Sequence, residues 1–315
     1  MYIGIDTSCY TTSVAAVNER GVIIKDCRRI LHVVEGERGL QQSKAVWQHV
    51  NNLPELVEDL FSHLDRKQLK AIAVSEKPRP VKDSYMPVFM AGYSHAKTIA
   101  ASLGIPLYLT THQEGHIMAG CSDELLAKDK FLALHLSGGT SELLRITNRA
   151  KPFGFDEELL GKSLDLHAGQ FIDRIGVALG LPFPCGPALE VMANNVTTQE
   201  ITIPSVVRSL DFSFSGPESA VQRLIKSGSD HHQIARATEQ CIVNTLRKVL
   251  EKAVAVTKIN HILIVGGVSA NAYIRQQLVK KLASKKAKLY FAEPKLSSDN
   301  GVGVALIGRR FYLHS

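Results

Sequence analysis

The stretch Phe131-Leu-Ala-Leu-His-Leu-Ser-Gly-Gly-Thr-Ser-Glu-Leu-Leu-Arg-Ile-Thr147 carries the pattern that decides the fold. Apolar runs at its two ends flank a short turn of glycine and hydroxyl residues, which predicts a β-hairpin. The start of the chain predicts a second hairpin, in which Tyr2–Asp6 and Ser13–Val17 flank the polar turn Thr7–Thr12. Each hairpin opens a segment where strands and helices alternate. The sequence therefore predicts an α/β fold with a weak internal duplication.

Helical periodicity and boundary residues predict the other elements. A helix at Ser43–Leu64 contains Pro54, which is expected to kink or divide it, and a helix at Met86–Leu103 is expected to stop at Gly104. The later helices are predicted at Leu164–Leu179, Pro217–Lys226, His231–Val256, Asn271–Ala283 and from about Asp299. The remaining strands are predicted at Val22–Asp26, Ala71–Ser75, Ile105–Leu109, His261–Val265 and Lys288–Ala292.

The two hairpins predict two domains, with the boundary near residues 110–130. We expect a first domain at residues 1–115 and a second at 116–315, with the last helix packing back on the first.

Composition restricts the class of protein. The chain has 315 residues, 45% of them hydrophobic and 21% charged, which is typical of a globular protein. It has no apolar run of about 18 residues and no basic signal segment, so neither a membrane span nor secretion is expected. Five single cysteines without a C-x-x-C pair fit reduced thiols in the cytoplasm. The net charge of +7 is compatible with a polyanionic partner such as tRNA, or with an ordinary basic surface.

The turn Ser137–Ser141 is a candidate anion-binding site. Gly138 and Gly139 lack a Cβ and allow the backbone N–H groups to approach an anion closely, and the hydroxyls of Ser137 and Thr140 can add hydrogen bonds. An ordinary hairpin turn has the same composition. The earlier turn repeats the hydroxyl residues after Asp6, whose carboxylate could orient a hydrated metal or a nucleophile, or simply stabilise the turn.

A third loop, Gly266–Asn271, follows the strand at 261–265 at its carboxyl end, where ligands gather in α/β sheets. Asn271 could hold a ribose or a base, or only cap the next helix. The sequence contains neither a Walker A motif nor a G-x-G-x-x-G fingerprint, which disfavours P-loop and dinucleotide-binding folds.

The segment His112-Gln-Glu-Gly-His116 indicates a metal site. If Thr111 caps a helix, histidines at i and i+4 lie on one face, which is the spacing that a divalent ion needs. Glu114 lies about 200° around the helix from each histidine. Metallopeptidases need a glutamate adjacent to a ligand histidine, so a peptidase is disfavoured. A third ligand is expected from elsewhere, and Asp299 is a candidate, although it could instead cap the last helix.

Four other conspicuous residues and pairs are interpreted as structural. Adjacent residues diverge on a helix, so His231 and His232 are interpreted as an exposed helix start. His135, Cys185 and Trp47 are interpreted as packing residues.

Taken in order, the motifs resemble the TsaD-type family of tRNA threonylcarbamoyladenosine transferases, formerly labelled O-sialoglycoprotein endopeptidases. The resemblance spans most of the chain. The matching motifs are H-Q-E-G-H at 112–116, L-S-G-G-T-S at 136–141, G-K-S-L-D at 161–165, A-G-Q-F-I-D at 168–173, P-x-G-P-A-L-E at 184–190, D-F-S-F-S-G at 211–216, G-G-V-S-A-N at 266–271 and S-D-N-G at 298–301.

The resemblance implies two actin-like lobes (the ASKHA, ribonuclease-H-like architecture), with a nucleotide and a metal in the cleft between them. It implies that the metal is bound by His112, His116 and Asp299. Two imidazoles and one carboxylate suit iron or zinc. The implied nucleotide or substrate contacts are at Ser137, Gly138, Gly139, Thr140, Asp173, Gly186 and Asn271.

The implied reaction moves a threonylcarbamoyl group from its adenylate onto an adenosine beside the tRNA anticodon. The expected ligands are ATP, ADP or threonylcarbamoyl-AMP, and the expected partners are tRNA and related subunits of the threonylcarbamoyl pathway. No membrane partner is expected, and no residue is assigned to proton transfer.

The chain also departs from the family pattern. The family's first turn, E-T-S-C-D-E-T, here reads D-T-S-C-Y-T-T at residues 6–12, and the glycine-rich G-P-G-L segment is replaced around residues 76–81. Thr140 stands where a histidine is frequent, Gln170 where a glutamate is usual, and Glu218 where a lysine is usual. These changes suggest a divergent paralogue, so the alternative is a non-catalytic nucleotide-binding protein that partners or regulates a transferase. A simple actin-like ATPase or sugar kinase is disfavoured, because such enzymes surround Mg²⁺ with carboxylates rather than histidines.

Overall fold

The first of two five-stranded sheets contains the amino-terminal hairpin. The structure is a computed structural model that describes residues 1–8, 10–34, 39–150 and 153–314, without the side chain of residue 150. The strands of the first sheet are β1 (Tyr2–Ser8), β2 (Thr11–Val17), β3 (Ile23–Ile30), β4 (Ala71–Lys77) and β5 (Leu107–Thr111). They lie in the order β3-β2-β1-β4-β5, with β1, β2 and β3 antiparallel and with β4 and β5 parallel to β1. The first turn is shorter than predicted, and its Cys9 lies outside the described residues.

The second sheet repeats this arrangement. Its strands are β6 (Lys130–Leu136), β7 (Ser141–Ala150), β8 (Phe153–Lys162), β11 (His261–Val265) and β12 (Lys288–Phe291), in the order β12-β11-β6-β7-β8. Strands β6, β7 and β8 are antiparallel, and β11 and β12 run parallel to β6. The same order and directions in both sheets confirm the predicted duplication. Strand β8 was not predicted, and neither was the short hairpin of β9 (Val206–Arg208) and β10 (Asp211–Ser213).

The predicted helices are present, with shifted ends. The helices are α1 (Gln42–Ser62), α2 (Phe89–Leu103), α3 (His112–Gly120), α4 (Asp123–Leu126), α5 (Ala168–Ala178), α6 (Gly186–Ala193), α7 (Ser215–Lys226), α8 (His231–Thr257), α9 (Ala272–Leu282), α10 (Pro294–Ser297) and α11 (Gly301–His314). Pro54 does not divide α1, which continues through it. Helix α2 ends as predicted at Gly104, whose φ of 64° is left-handed. Helices α4, α6 and α10 were not predicted.

Helix α11 packs against β1 of the first sheet through backbone contacts that only glycine allows. A Cβ added to Gly4 would lie 2.2 Å from the backbone nitrogen of Ala305 and 2.2 Å from the carbonyl oxygen of Gly301. The Gly301 N–H donates a hydrogen bond of 2.7 Å to the Ser13 hydroxyl. The carboxyl-terminal helix is thereby tied to the amino-terminal hairpin, and this contact fixes the residues just before α11 beside the end of β1. The domain division at residues 115 and 116 stays a prediction.

Gly4→Ala is expected to lower the free energy of unfolding by about 3 kcal/mol, the upper end of the usual range for overpacking a core. The added methyl group would meet backbone atoms of α11, which cannot rotate away. Urea unfolding measures the loss. Gly216→Ala in α7 is the matched control, because a Cβ there meets nothing within 4 Å. Equal stability of the two variants would contradict the close packing of α11 on β1.

Within the described ranges, no helix is both long and apolar enough to cross a membrane.

Candidate metal centre

Helix α3 begins with the cap that the sequence predicts. The Thr111 hydroxyl accepts a hydrogen bond of 3.2 Å from the Glu114 backbone N–H, and the Glu114 carboxylate accepts one of 2.9 Å from the Thr111 backbone N–H. This capping box sets the register in which His112 and His116 share one face, with ring centroids 4.5 Å apart. The Glu114 carboxylate also accepts from the Thr110 hydroxyl at 2.9 Å. The Glu114 carboxylate therefore points back toward the start of α3, and not toward the face that carries His112 and His116, where a peptidase would need it.

The two histidines meet the carboxylate of Asp299. Its Oδ1 atom lies 3.6 Å from His112 Nε2 and 3.4 Å from His116 Nε2. One ligand atom from each of the three residues lies within 4.8 Å of the other two. Two ligands at about 2.1 Å from one tetrahedral ion are about 3.4 Å apart, so these spacings match a shared ion.

Asp299 does not cap the last helix. Asn300 fills that role, because its Oδ1 accepts a hydrogen bond of 3.1 Å from the Gly303 N–H in the first turn of α11. The interpretation of Asp299 as a helix cap is therefore wrong. Its carboxylate faces His112 and His116 instead.

His116 has the environment of a metal ligand. The residue is only 2% exposed, and neither ring nitrogen has a partner of hydrogen-bonding geometry among the described residues. Buried polar atoms without partners are rare in folded proteins, because each carries its full desolvation cost. A divalent ion between the histidines and Asp299 would satisfy the Nε2 atom, so the donor set fits a metal.

Asp6 holds the outer side of His112. The Asp6 Oδ1 atom lies 3.1 Å from His112 Nδ1, while Asp6 accepts hydrogen bonds from the hydroxyls of Ser8 and Ser75. A carboxylate on the far nitrogen of a ligand histidine fixes the ring and leaves its Nε2 for a metal. The sequence predicts a role for Asp6 in orienting a metal or a nucleophile, and the structure places its carboxylate on a histidine.

The buried charges of this cluster interact strongly. For His112, burial opposes protonation, but the neighbouring Asp6 and Asp299 carboxylates raise its pKa to about 9. For His116, burial and the charge on His112 lower the pKa. Burial would raise the pKa of Asp299, but the two histidines hold it well below its usual range. These carboxylates favour a protonated His112, so binding of a metal at its Nε2 atom would release a proton.

The turn Ser137–Ser141 is tight and leaves room above its glycines. The Ser137 N–H donates to the Thr140 carbonyl at 2.7 Å, and Cβ atoms added to Gly138 or Gly139 would meet nothing within 4 Å. On its other side the turn abuts the start of α5, where the Gly169 N–H donates to the Ser137 carbonyl at 3.1 Å. The backbone of the turn is thus fixed, while one side can be approached by a ligand.

Asp173 and Gly186 are joined through Cys185. The Asp173 Oδ1 atom accepts a hydrogen bond of 2.8 Å from the Cys185 N–H, immediately before α6 begins at Gly186. Burial raises the pKa of the Asp173 carboxyl. Cys185 itself is buried, as predicted. A Cβ added to Gly176 would lie 2.2 Å from the Cβ of Cys185. Asp173 therefore positions the loop that leads into Gly186.

Asn271 caps α9, which confirms the interpretation of this residue as a helix cap. Its Oδ1 accepts from the Ile274 N–H at 2.8 Å, and its Nδ2 donates to Glu239 Oε1 at 2.6 Å. Glu239 is fully buried and also pairs with Arg236 at 2.6 Å. Burial raises the pKa of Glu239 to about 7, although Asn271 and Arg236 oppose the shift. The amide of Asn271 is thus fixed by a buried carboxyl group that titrates near neutrality.

The pKa of Glu239 makes stability depend on pH. Because its pKa is about 7 when folded against 4.5 for the ordinary side chain, its stabilising contribution is complete below pH 4.5 and is lost as the pH rises through 7. The unfolding free energy is expected to fall by up to about 3 kcal/mol across that window, and Glu239→Gln is expected to flatten the fall. Glu251→Gln, which removes the ion pair with Arg247 on the same helix, is the control. The same pH slope in Glu239→Gln as in the unmodified protein would contradict this assignment.

Sequence patterns missed a polar cluster beside the histidines. His135, interpreted as a packing residue, is buried, but its ring lies 4.8 Å from that of His116 and its Nδ1 is 3.4 Å from Gln113 Nε2. Gln113 also donates to Glu142, which pairs with Arg79 of the first half of the chain. The signal that could have revealed Glu142 is the predicted hairpin, which places it directly across from His135.

Asp165 was also missed. Its carboxylate accepts hydrogen bonds from the hydroxyls of Ser213 and Ser215 and from three backbone N–H groups. Burial opposes ionisation, but these bonds lower its pKa to about 2. The side chain joins the motifs G-K-S-L-D and D-F-S-F-S-G, so its role here is to hold two loops together.

The structure contradicts the interpretation of Trp47 as a packing residue and confirms that of His231 and His232 as an exposed helix start. Trp47 does not pack in the core, because it is 69% exposed on α1. His231 and His232 are both exposed at the start of α8, which confirms the predicted helix start.

Comparisons with known proteins identify both a family and an architecture. The TsaD family model, described as tRNA N6-adenosine threonylcarbamoyltransferase, matches residues 30–306. Component A of the (R)-2-hydroxyglutaryl-CoA dehydratase of Acidaminococcus fermentans superposes with a TM-score of 0.57 at 13% identity, covering 99% of this chain and 98% of that one.

Two more solved structures are similar. Full-length HypF in its phosphate- and nucleotide-bound form has a TM-score of 0.58 at 14% identity over 98% of this chain and 46% of its own. A ROK family glucokinase from Streptomyces griseus, in complex with glucose and AMPPNP, has a TM-score of 0.55 at 11% identity over 98% and 99%. These likenesses confirm the predicted actin-like α/β architecture.

Proposed function

Because the chain belongs to the TsaD family of tRNA N6-adenosine threonylcarbamoyltransferases, we propose that it transfers a threonylcarbamoyl group to the amino group of an adenosine beside the tRNA anticodon. The observation that carries the proposal is the convergence of His112, His116 and Asp299. These side chains come from α3 and from the segment before α11.

The metal in this proposal is one divalent ion, held by those three residues. Two imidazoles and one carboxylate suit Fe²⁺ or Zn²⁺. When bound, such an ion supplies a Lewis acid that polarises an acyl oxygen and offsets phosphate charge. Asp6 orients His112, and the hydroxyls of Ser8 and Ser75 hold Asp6 in turn.

The nucleotide in this proposal, as threonylcarbamoyl-AMP, ATP or ADP, binds at the turns of the second lobe. The phosphate lies beside the backbone of Gly138 and Gly139, with the hydroxyls of Ser137 and Thr140 next to it. The Gly139 N–H, which donates to the Ser137 hydroxyl at 3.3 Å, would turn to the phosphate when it binds. The remaining contacts are at Asp173, Gly186 and Asn271. The adenosine amine attacks the carbamoyl carbon, a C–N bond forms, the C–O bond to phosphate breaks, AMP leaves with the electron pair, and the amine gives up a proton. No residue is assigned as the base.

The proposed partners are tRNA and other subunits of the threonylcarbamoyl pathway, in the cytoplasm. The net charge of +7 favours association with a polyanion such as tRNA.

A second candidate function is a non-catalytic paralogue that binds nucleotide and associates with an active transferase. One contact favours it. Tyr10, at a position where the family has an acid, packs edge-on against Phe183 of the second half at a centroid distance of 5.5 Å. An aromatic contact at this place joins the first turn to the loop before α6 in a way that an acid could not.

Transfer to tRNA distinguishes the two candidates. The purified protein, alone and with pathway subunits, is incubated with threonylcarbamoyl-AMP and unmodified tRNA, and modified adenosine is measured by mass spectrometry. We expect product with the unmodified protein and none with His116→Ala. Absence of product under every partner combination would overturn the transferase proposal. Nucleotide binding together with a stable complex with an active transferase would then favour the paralogue.

A further inference from the structure

His135 stands at the end of β6, beside the three candidate ligands but outside their group. It is 1% exposed, and its ring centroid lies 4.8 Å from that of His116 and 6.3 Å from that of His112. Its Nε2 atom is buried and has no hydrogen-bond partner among the described residues. A polar nitrogen in this position is unsatisfied in the protein alone, which points to a bound group that completes it.

The partners of His135 determine which of its nitrogens carries the proton. Glu142 lies opposite His135 in the β6–β7 pair and accepts from Arg79 on one carboxylate oxygen and from Gln113 Nε2, at 3.0 Å, on the other. An ion-paired carboxylate only accepts hydrogen bonds, so the amide of Gln113 must turn its NH₂ group toward Glu142.

The same NH₂ group is the atom that faces His135. Gln113 Nε2 lies 3.4 Å from His135 Nδ1, and since an amide NH₂ cannot accept, Nδ1 must accept. A neutral imidazole that accepts at Nδ1 carries its proton on Nε2.

We propose that Arg79, Glu142 and Gln113 lock His135 as an Nε2–H donor, which binds an anionic oxygen of the ligand at the His112, His116 and Asp299 cluster and does not ligate the metal. A metal ligand needs the Nε2 lone pair, and in this tautomer a hydrogen occupies that position. His135 is also outside the group whose ligand atoms converge within 4.8 Å.

The donor can serve either of two anionic oxygens that share this chemistry, a phosphate oxygen or a carboxylate oxygen. The inference rests on the proposed function only in expecting an anionic ligand at the cluster. Arg79 belongs to the segment that replaces the family's glycine-rich motif, so the lock uses a feature particular to this chain. It also ties the donor in the second half of the chain to the first half.

The position of the proton on the His135 ring can be measured directly. With ¹⁵N-labelled histidine and Zn²⁺ as a diamagnetic probe, nuclear magnetic resonance is expected to show His135 protonated on Nε2. Glu142→Gln, which lets the Gln113 amide flip, is expected to give a mixture of both tautomers. Arg79→Gln, which removes the cation that keeps Glu142 an ionised acceptor, is expected to shift the tautomer in the same direction. Arg145→Gln, which removes the ion pair with Glu158 on the β7–β8 hairpin, is the matched control, with the tautomer unchanged. A proton on Nδ1 in the unmodified protein would overturn the proposal.

Two further measurements identify the role of the donor. Inorganic phosphate and N-carbamoyl-threonine are titrated separately. A shift of the His135 Nε2 resonance with one of them identifies the oxygen, and no shift with either overturns the proposal. His135→Gln is expected to keep its zinc, and a loss of more than half of it would make His135 a ligand instead. None of these readouts needs tRNA transfer, so failure of the proposed function and failure of this inference are distinguishable.

Discussion

Purified without chelator or histidine tag, the protein is expected to carry about one divalent ion per chain, and His116→Ala is expected to lose nearly all of it. His116 is buried, and its side chain supplies one of only three candidate ligand atoms, so the variant loses a third of the site. Loss of a direct ligand should exceed the roughly 10–100-fold drop in affinity that follows loss of a residue that only orients one. Elemental analysis by mass spectrometry gives the metal-to-protein ratio.

Matched variants make this result specific. His232→Ala removes an exposed histidine from α8 and should leave the metal content unchanged. Asp6→Asn should give an intermediate loss, since Asp6 contacts His112 and is not one of the three candidate ligands. Full metal content in His116→Ala would remove the proposed site, and equal losses in all three variants would indicate nonspecific binding.

The sequence predicts those structural features that depend on contacts between residues close together in the chain. The capping box of Thr111 and Glu114 is local, so the register of His112 and His116 followed from it. Helix α2 ends at Gly104 because this residue adopts a left-handed backbone conformation, which glycine accepts without strain. The two hairpins followed from apolar runs around glycine and hydroxyl turns. The similarity of the two sheets followed from these hairpins.

What the sequence could not predict depends on residues far apart in the chain or on interrupted patterns. Strand β8 contains Glu157 and Glu158 between two glycines, which breaks the alternation expected of a strand. Helix α6 starts among prolines and Gly186, a composition typical of a loop. The contact of Asp6 with His112 joins β1 to α3, and no local pattern reports it. Asp299 does not cap α11 because its carboxylate faces His112 and His116, which are far away in the sequence, and Asn300 caps the helix instead.

Gly138→Ala is expected to weaken nucleotide binding about 10–100-fold, a cost of about 1.4–2.8 kcal/mol, without lowering the stability of the protein. A Cβ at this position meets no protein atom within 4 Å, and the turn needs no positive φ there, so the variant should fold normally. The same methyl group would enter the space in which a phosphate approaches the backbone N–H groups. Calorimetric titration with ADP measures affinity, and urea unfolding measures stability.

The strength of this test is that it separates a binding turn from a structural one. If Ser137–Ser141 only connects β6 to β7, then Gly138→Ala changes neither affinity nor stability, because its methyl group points into empty space. If the turn cradles phosphate, affinity alone falls. Gly216→Ala is the control for the general effect of adding a methyl group at an open glycine. Unchanged ADP affinity in Gly138→Ala would remove the phosphate site from this turn, whatever the outcome for the metal.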